Sequence, residues 1–165
     1  MVQRIIVALI VMSSAVFGLS TVYNVDVYQN LNDSADRVQQ SFVATADTIT
    51  SLWFFVGSSP VSGPGKQYEL RVKDGATEIV RVFVDAPDPG WQWIGGEVTQ
   101  VNPQLLVKGK TYTLEVKHSD QGVKTNFYYA PDAYAPGSLK TPNMPGYDLC
   151  ARVYGRNDTS GGILG

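Results

Sequence analysis

The chain writes one nine-residue pattern nearly twice. Gly65-Lys66-Gln67-Tyr68-Glu69-Leu70-Arg71-Val72-Lys73 and Gly109-Lys110-Thr111-Tyr112-Thr113-Leu114-Glu115-Val116-Lys117 share the form G-K-x-Y-x-L-x-V-K. In both, Tyr, Leu and Val recur every second residue with polar or charged residues between them. A period of two puts the apolar set on one face of an extended strand and the polar set on the other. Each copy also leaves a glycine, as a strand leaves a turn. The pattern therefore demands a sheet with one buried and one wet face, which antiparallel sheets supply. On this reading Leu114→Ala costs about 2–5 kcal/mol, whereas Glu115→Ala, on the wet face, stays within about 0.5 kcal/mol. The flanks of the two copies do not match at a common offset, so they are two strands of one domain and not a tandem repeat.

The rest of the chain follows the same grammar. Met1-Val2-Gln3-Arg4, the apolar run from Ile5 to Met12 and the exit Ser13-Ser14-Ala15-Val16-Phe17-Gly18 have the order of a secretory signal peptide. The run is shorter than the roughly 20 residues that span a bilayer. Residues 1–20 are therefore set apart as a signal, residues 21–155 as one domain, and residues 156–165 as a disordered tail. The expected location is secreted, extracellular or at the cell surface, with no membrane contact once the signal is removed. A net charge of −2 with both signs interspersed gives no electrostatic reason to expect nucleic acid. Cys150 is the only cysteine, which excludes an intrachain disulfide, and its apolar strand context predicts a buried, inert thiol.

Strands are predicted at Tyr23 to Val27, Gln39 to Val43, Ile49 to Val56, the first twin, Ile79 to Val84, the segment opened by Trp91 and Trp93, the second twin, Lys124 to Tyr129, and Leu149 to Val153. Ile49 to Val56 is apolar at nearly every position, which predicts a central strand covered on both sides. Asp74-Gly75 reads as a hairpin turn, and Gly95-Gly96 as a bulge or bend. Residues 29–37 read as a polar loop, and residues 130–147, with four prolines, as the longest irregular section. Eight or nine strands with no amphipathic helix make an all-β, antiparallel two-sheet β-sandwich, of jelly-roll before immunoglobulin type.

Gln40-Ser41-Phe42-Val43-Ala44, the G-x-x-Y-x-L-x-V strands, Pro89-Gly90-Trp91, and the late Tyr147-Asp148-Leu149 with Arg152-Val153-Tyr154-Gly155 resemble a broad group of secreted bacterial jelly-roll domains of the carbohydrate-binding-module-like, extracellular accessory type. The resemblance spans roughly residues 22–155 and rests on strand and turn positions. It implies a jelly-roll sandwich of the kind appended to carbohydrate-active or surface proteins.

Catalytic chemistry is hard to assemble from these residues. His118, Ser119 and Asp120 are sequence neighbours, and adjacent strand residues point to opposite faces, so they do not converge as base, nucleophile and orienting acid. No G-x-S-x-G elbow occurs. The expectation is a non-catalytic chain whose partner is a glycan or polysaccharide. Candidate ligand-binding residues are Asn126, Tyr128, Asp132, Tyr134, Asn143 and Tyr147, because aromatic faces stack on sugar C–H faces while amides and carboxylates bind hydroxyls. The long loop stays open between a pre-formed aromatic platform and a plug that buries Tyr134 and Tyr147. Trp91 and Trp93 are read as core, since large aromatics fill sandwich interiors. Asn30, Asn32, Asp33 and Asp36 are the candidate ligands of a structural calcium ion, although Ala35 and Ser41 stand where an EF-hand needs Gly and Glu; a solvated Asx-rich turn explains them as well. Asn32-Asp33-Ser34 and Asn157-Asp158-Thr159 fit the glycosylation acceptor pattern. The rival to a glycan-binding module is a structural or adhesive subunit that self-associates through exposed strands.

Overall fold

A computed structural model describes residues 20–25, 31–57, 65–86, 90–100, 106–141 and 144–157. The residues read as a signal peptide, apart from Ser20, lie outside them, as do Asn30, Asn143 and residues 158–165 of the tail. Among the described residues there are thirteen strands and no helix: β1 (Ser20–Asn24), β2 (Leu31–Ala35), β3 (Arg37–Val43), β4 (Thr48–Val56), β5 (Gln67–Asp74), β6 (Thr77–Asp85), β7 (Gln92–Glu97), β8 (Thr99–Gln100), β9 (Thr111–His118), β10 (Thr125–Pro131), β11 (Leu139–Thr141), β12 (Tyr147–Leu149) and β13 (Ala151–Arg156). They form two antiparallel sheets packed as a β-sandwich. Sheet I contains the neighbours β2-β10-β4-β7, and sheet II contains β3-β9-β5-β6 with the short strands β11 and β8 at its edges. Those two sets of four are the strand orders of a jelly roll.

The twin motifs are β5 and β9, and they pair with each other at the centre of sheet II. Leu70 lies opposite Val116 and Val72 opposite Leu114. Tyr68, Leu70, Val72, Leu114 and Val116 are all fully buried, and Tyr112 nearly so. Because the copies run antiparallel, their polar residues also meet: Glu69 faces Lys117, and Arg71 faces Glu115.

That polar face differs from the wet face expected. Glu115 is 1% exposed and Glu69 6%. Glu115 accepts from the Gln39 amide at 2.5 Å and has Arg71 at 3.4 Å and Lys73 at 3.7 Å. Glu69 is gripped by Arg71, by Arg81 at 3.2 Å and by Lys117 at 3.0 Å. The carboxylates lie at the bottom and the long cationic side chains close over them, with their aliphatic stems as the roof. Burial by itself would raise the Glu69 pKa, but hydrogen bonds and charges from Arg71 and Lys117 hold it below the ordinary glutamate value. Alternation assigned the face correctly; it could not register that three neighbouring strands, β5, β6 and β9, bring enough arginine and lysine to roof it.

Four strands went unread. Residues 31–35 are β2, paired with β10 from Leu31 opposite Tyr129 to Ala35 opposite Thr125, where a polar loop was expected. Sheet pairing here overrides the weak strand propensity of Asn, Asp and Ser. β8, β11 and β12 are only two or three residues long, too short for a periodic signal. The first strand starts earlier than read and gives way after Asn24, and the last continues through Arg156. Gly95-Gly96 makes no bulge, since β7 pairs with β4 in unbroken register from Gln92 to Glu97. A side chain at Gly95 would instead meet the Leu52 carbonyl oxygen, 2.0 Å from an ideal Cβ.

Sheet I contains a three-way junction. β10 pairs antiparallel with β12, β13 pairs antiparallel with β4, and β4 pairs antiparallel with β10 at Val56 opposite Phe127. Three strands cannot each be antiparallel to both others in one flat array, so the chain changes partner between β12 and β13, at Cys150. Its N–H donates to the Tyr128 carbonyl at 2.9 Å and its carbonyl accepts from Phe55 N–H at 3.1 Å. The Cys150 side chain is fully buried, as its context predicted.

Candidate functional site on the outer face of sheet I

β4 carries apolar residues on both faces, so its period does not say which set faces the core. Leu52, Phe54 and Val56 are fully buried, which turns Ser51, Trp53 and Phe55 to the outside, where they are only partly covered. The neighbours follow by register. β7 presents Trp93 opposite Phe55 and Gly95 opposite Trp53, with Ile94 turned inward. β13 presents Arg152 opposite Trp53 and Tyr154 opposite Ser51. β10 turns Phe127 and Tyr129 into the core and Asn126 and Tyr128 outward.

These side chains touch in sequence across the sheet. The Phe55 ring lies nearly parallel to Trp91 at 6.1 Å and edge-on to Trp93 at 5.4 Å and to Tyr128 at 5.5 Å. Trp91 meets Tyr128 edge-on at 4.2 Å. At the other end the Arg152 guanidinium lies over the Trp93 ring, 4.0 Å from its centre. Beyond it Trp53, Trp93, Arg152 and Tyr154 line a pocket of about 220 Å³. Two glycines make room. Gly95 leaves the place opposite Trp53 without a side chain, and Gly57 lies under Trp91, whose ring atoms stand 2.7 Å from where a Cβ would be. All three tryptophans of the chain are on this face, and Trp91 is 40% exposed.

The expectation that Trp91 and Trp93 belong to the core is therefore corrected, as is the expectation that both faces of the 49–56 strand are covered. Among the described residues, the side chains in contact with Trp53 and Phe55 on the outer face of β4 are aromatic rings and Arg152. A sequence signal existed in Trp91 and Trp93 sharing one strand face with Gln92 between them, but a tandem of large aromatics fits a core equally well. Trp53, Phe55 and Tyr154 had no signal of their own, whereas Arg152 lies near the candidate tyrosines in sequence, where an arginine can bind sugar hydroxyls.

The residues singled out from sequence fall in two places. Asn126 and Tyr128 belong to the outward row. Asp132, Tyr134 and Tyr147 lie in the 130–147 section, which leaves sheet I, pairs β11 with β3 in sheet II, and returns as β12. They share a separate pocket of about 220 Å³ with Gly137, Ser138 and Asp148. Asp132 is exposed, at the corner after β10 with φ of 40°. Tyr134 is tied down: its ring is 4.6 Å from Tyr23, its hydroxyl accepts from Val43 N–H at 3.1 Å, and its N–H donates to Asp148 at 2.8 Å. Asp148 is itself buried and also accepts from the Gln40 amide at 2.9 Å. Burial pushes its pKa above the ordinary aspartate value in spite of those donors. Between plug and platform, the contacts of Tyr134 are those of a plug.

Of the candidate calcium ligands, Asn30 lies outside the described residues, and Asn32 and Asp33 are on the extended, paired backbone of β2 opposite Tyr128 and Phe127. Asp36 is exposed at the corner between β2 and β3, beside a polar recess lined by Arg37, Lys117, His118 and Asp120. No group of three His, Cys, Asp or Glu side chains suited to a metal occurs among the described residues.

In that recess His118, Ser119 and Asp120 each have a different partner. The His118 ring is buried edge-on against Tyr68, and its Nδ1 accepts from Asp120 N–H at 3.0 Å. Ser119 Oγ accepts from Gln67 N–H at 3.2 Å, and the Asp120 carboxylate pairs with Lys66 at 2.5 Å. Comparison with protein-family models and with curated proteins gave no match to this chain.

Proposed function

We propose that this chain is a non-catalytic glycan-binding module whose ligand lies along the outer face of sheet I. The observation that carries the reading is the connected row Tyr128, Trp91, Phe55, Trp93 on a face that no other described layer covers. Pyranose rings offer flat C–H faces that stack on such rings, and Asn126 beside Tyr128 supplies an amide for hydroxyls. Strand-borne aromatics held by neighbouring rings lose little freedom on binding, which favours affinity. The 130–147 section, first candidate for the ligand, supports the fold instead, and only Asn126 and Tyr128 of that set stay in the proposed site. A calcium ion at residues 30–36 is not needed by this reading.

Because Trp53, Trp91 and Trp93 are all on this face, tryptophan fluorescence reports on it alone. Titration of the purified protein with a panel of soluble polysaccharides should quench or shift the emission saturably for at least one polymer. Trp91→Ala should weaken that binding about tenfold or more, on the scale of losing one aromatic stack (about 1–3 kcal/mol by analogy with base stacking), with little change in melting temperature. Absence of binding across neutral and charged polymers would overturn the reading. Concentration-dependent assembly abolished by the same substitution would turn the face into a subunit interface, the structural-subunit alternative, since exposed tryptophan and tyrosine also anchor protein contacts.

A further inference from the structure

The two ends of the row differ chemically. Among the described residues the Tyr128 end offers rings and an amide, whereas the other end adds a guanidinium at the mouth of a pocket. Resting on the glycan reading, we propose that the pocket of Trp53, Trp93, Arg152 and Tyr154 selects a sugar bearing an anionic group, a ring carboxylate or a sulfate ester, so that the ligand is an acidic polysaccharide.

Arg152 is placed by pairing. It lies opposite Trp53 on β4, and its head reaches over Trp93, which occupies the next outward position on β7 after the empty place at Gly95. A guanidinium carbon 4.0 Å from the ring centre is within cation–π range of the indole, and it is the N–H edge of the group that grips a carboxylate or sulfate in a fork. With five N–H donors the group can keep its existing contacts and still present two to a ligand. Two indoles and a phenol form the remaining walls of the pocket, and no acidic side chain is among its lining residues. The acid closest by register on this face is Glu97, opposite Ser51 and two residues along β7 from Gly95. A half-buried cation with apolar walls is a poor place for a neutral hydroxyl and a good one for an anion, because the low local dielectric strengthens the ion pair.

The whole chain has a net charge of −2, so long-range attraction does not bring a polyanion to it. Recognition must come from the local fork, and this separates the inference from non-specific charge binding. The geometry of the fork matters as well as its charge. A lysine at 152 would keep the charge but lose the stacked plane and the paired donors.

The test is a fluorescence titration of the whole protein with three polymers: a polyuronate, a neutral polysaccharide of the same backbone linkage, and a sulfated polysaccharide. The expected result is at least tenfold tighter binding of the polyuronate or the sulfated polymer than of the neutral one, and which of the two binds identifies the anion. Arg152→Gln should remove that preference while leaving binding of the neutral polymer unchanged, and Arg152→Lys should not restore it. Equal affinity of the unmodified protein for acidic and neutral polymers would overturn the inference and leave the aromatic platform standing. So would an equal loss on all polymers in Arg152→Gln, which would make the arginine only a support for Trp93. Binding to none of the three would remove the platform itself.

Discussion

Replacing Glu115 by alanine tests whether the polar face of the twin strands is a solvated surface or a buried ionic layer. The Glu115 side chain is 2% exposed, below Arg71 and Lys73 at 18% and 21%. It holds one short hydrogen bond, from Gln39, and two ion pairs. A hydrogen bond to a charged group contributes about 1.5–3 kcal/mol. Orphaning a buried charge would cost about 3–5 kcal/mol, but Arg71 keeps Glu69 and Glu78 as partners, and Lys73 is exposed enough to reach water. The expected loss is therefore about 2–3 kcal/mol. Urea unfolding of Glu115→Ala should show a lowered midpoint with an unchanged slope. Thr111→Ala, at the exposed start of the same strand, should stay within about 0.5 kcal/mol. If the two substitutions prove equivalent, the carboxylate is solvated in solution and the ionic roof contributes nothing.

Tyr134→Ala should destabilise the fold by about 3 kcal/mol or more, as removal of a packed aromatic does, while Tyr134→Phe, which loses only the hydroxyl contacts with Val43, should cost about 0.5–1.5 kcal/mol; calorimetric melting distinguishes them. Leu114→Ala, fully buried at the centre of sheet II, should cost about 2–5 kcal/mol in the same assay. Gly57→Ala should displace Trp91, because the new methyl would overlap its ring; a red-shifted emission maximum with a nearly native melt is the expected signature. The depressed pKa of Glu69 gives a pH dependence with a definite sign. Its stabilisation is present above the ordinary glutamate pKa of about 4.3 and is lost as pH falls through the lower folded value. Asp148, with a raised pKa, acts in the opposite sense: its contribution is present below the ordinary aspartate value and lost as pH rises through the folded one. The quantity to measure is thus the difference between the parent protein and Glu69→Gln, which should narrow below pH ~4.

Period two identified the sheet-forming elements because every long strand here has a core face and an outer one. It placed Tyr68, Leu70, Val72, Leu114 and Val116 correctly, and it put Phe127 and Tyr129 inside with Tyr128 outside. It failed where the two faces are chemically alike. Leu52, Trp53, Phe54, Phe55 and Val56 are all apolar, so the outward turn of Trp53 and Phe55 is decided by tertiary packing. It failed again where a strand has no apolar face to declare, as in Leu31–Ala35, which is a strand because β10 offers it a partner. The aromatic row crosses β4, β7, β10 and the segment before β7, which are up to about seventy residues apart in the chain. A site made by register between distant strands leaves no local spacing to find. For the 130–147 section, loop length and tyrosine content suggested binding, whereas in the structure Tyr134 is held by Val43 and Asp148 and Ser138 by Ser41.

The junction at Cys150 also sets the order in which the molecule can assemble. Until residues 147–156 arrive, β4 lacks its β13 partner, β10 lacks β12, and β1 has nothing to pair with. Tyr23 lies opposite Val153, about 130 residues away along the chain. The β5–β6 hairpin is the one long pairing that closes over a short turn. A nascent chain emerging from the ribosome can therefore nucleate that hairpin early, but β1, β12 and β13 cannot take their places in sheet I until residues 147–156 are free. Loop-closure entropy must be overcome across nearly the whole chain, which places folding in the slow, high-contact-order regime of about milliseconds to seconds. During that interval the apolar edges of β4 and β10 are available to other chains.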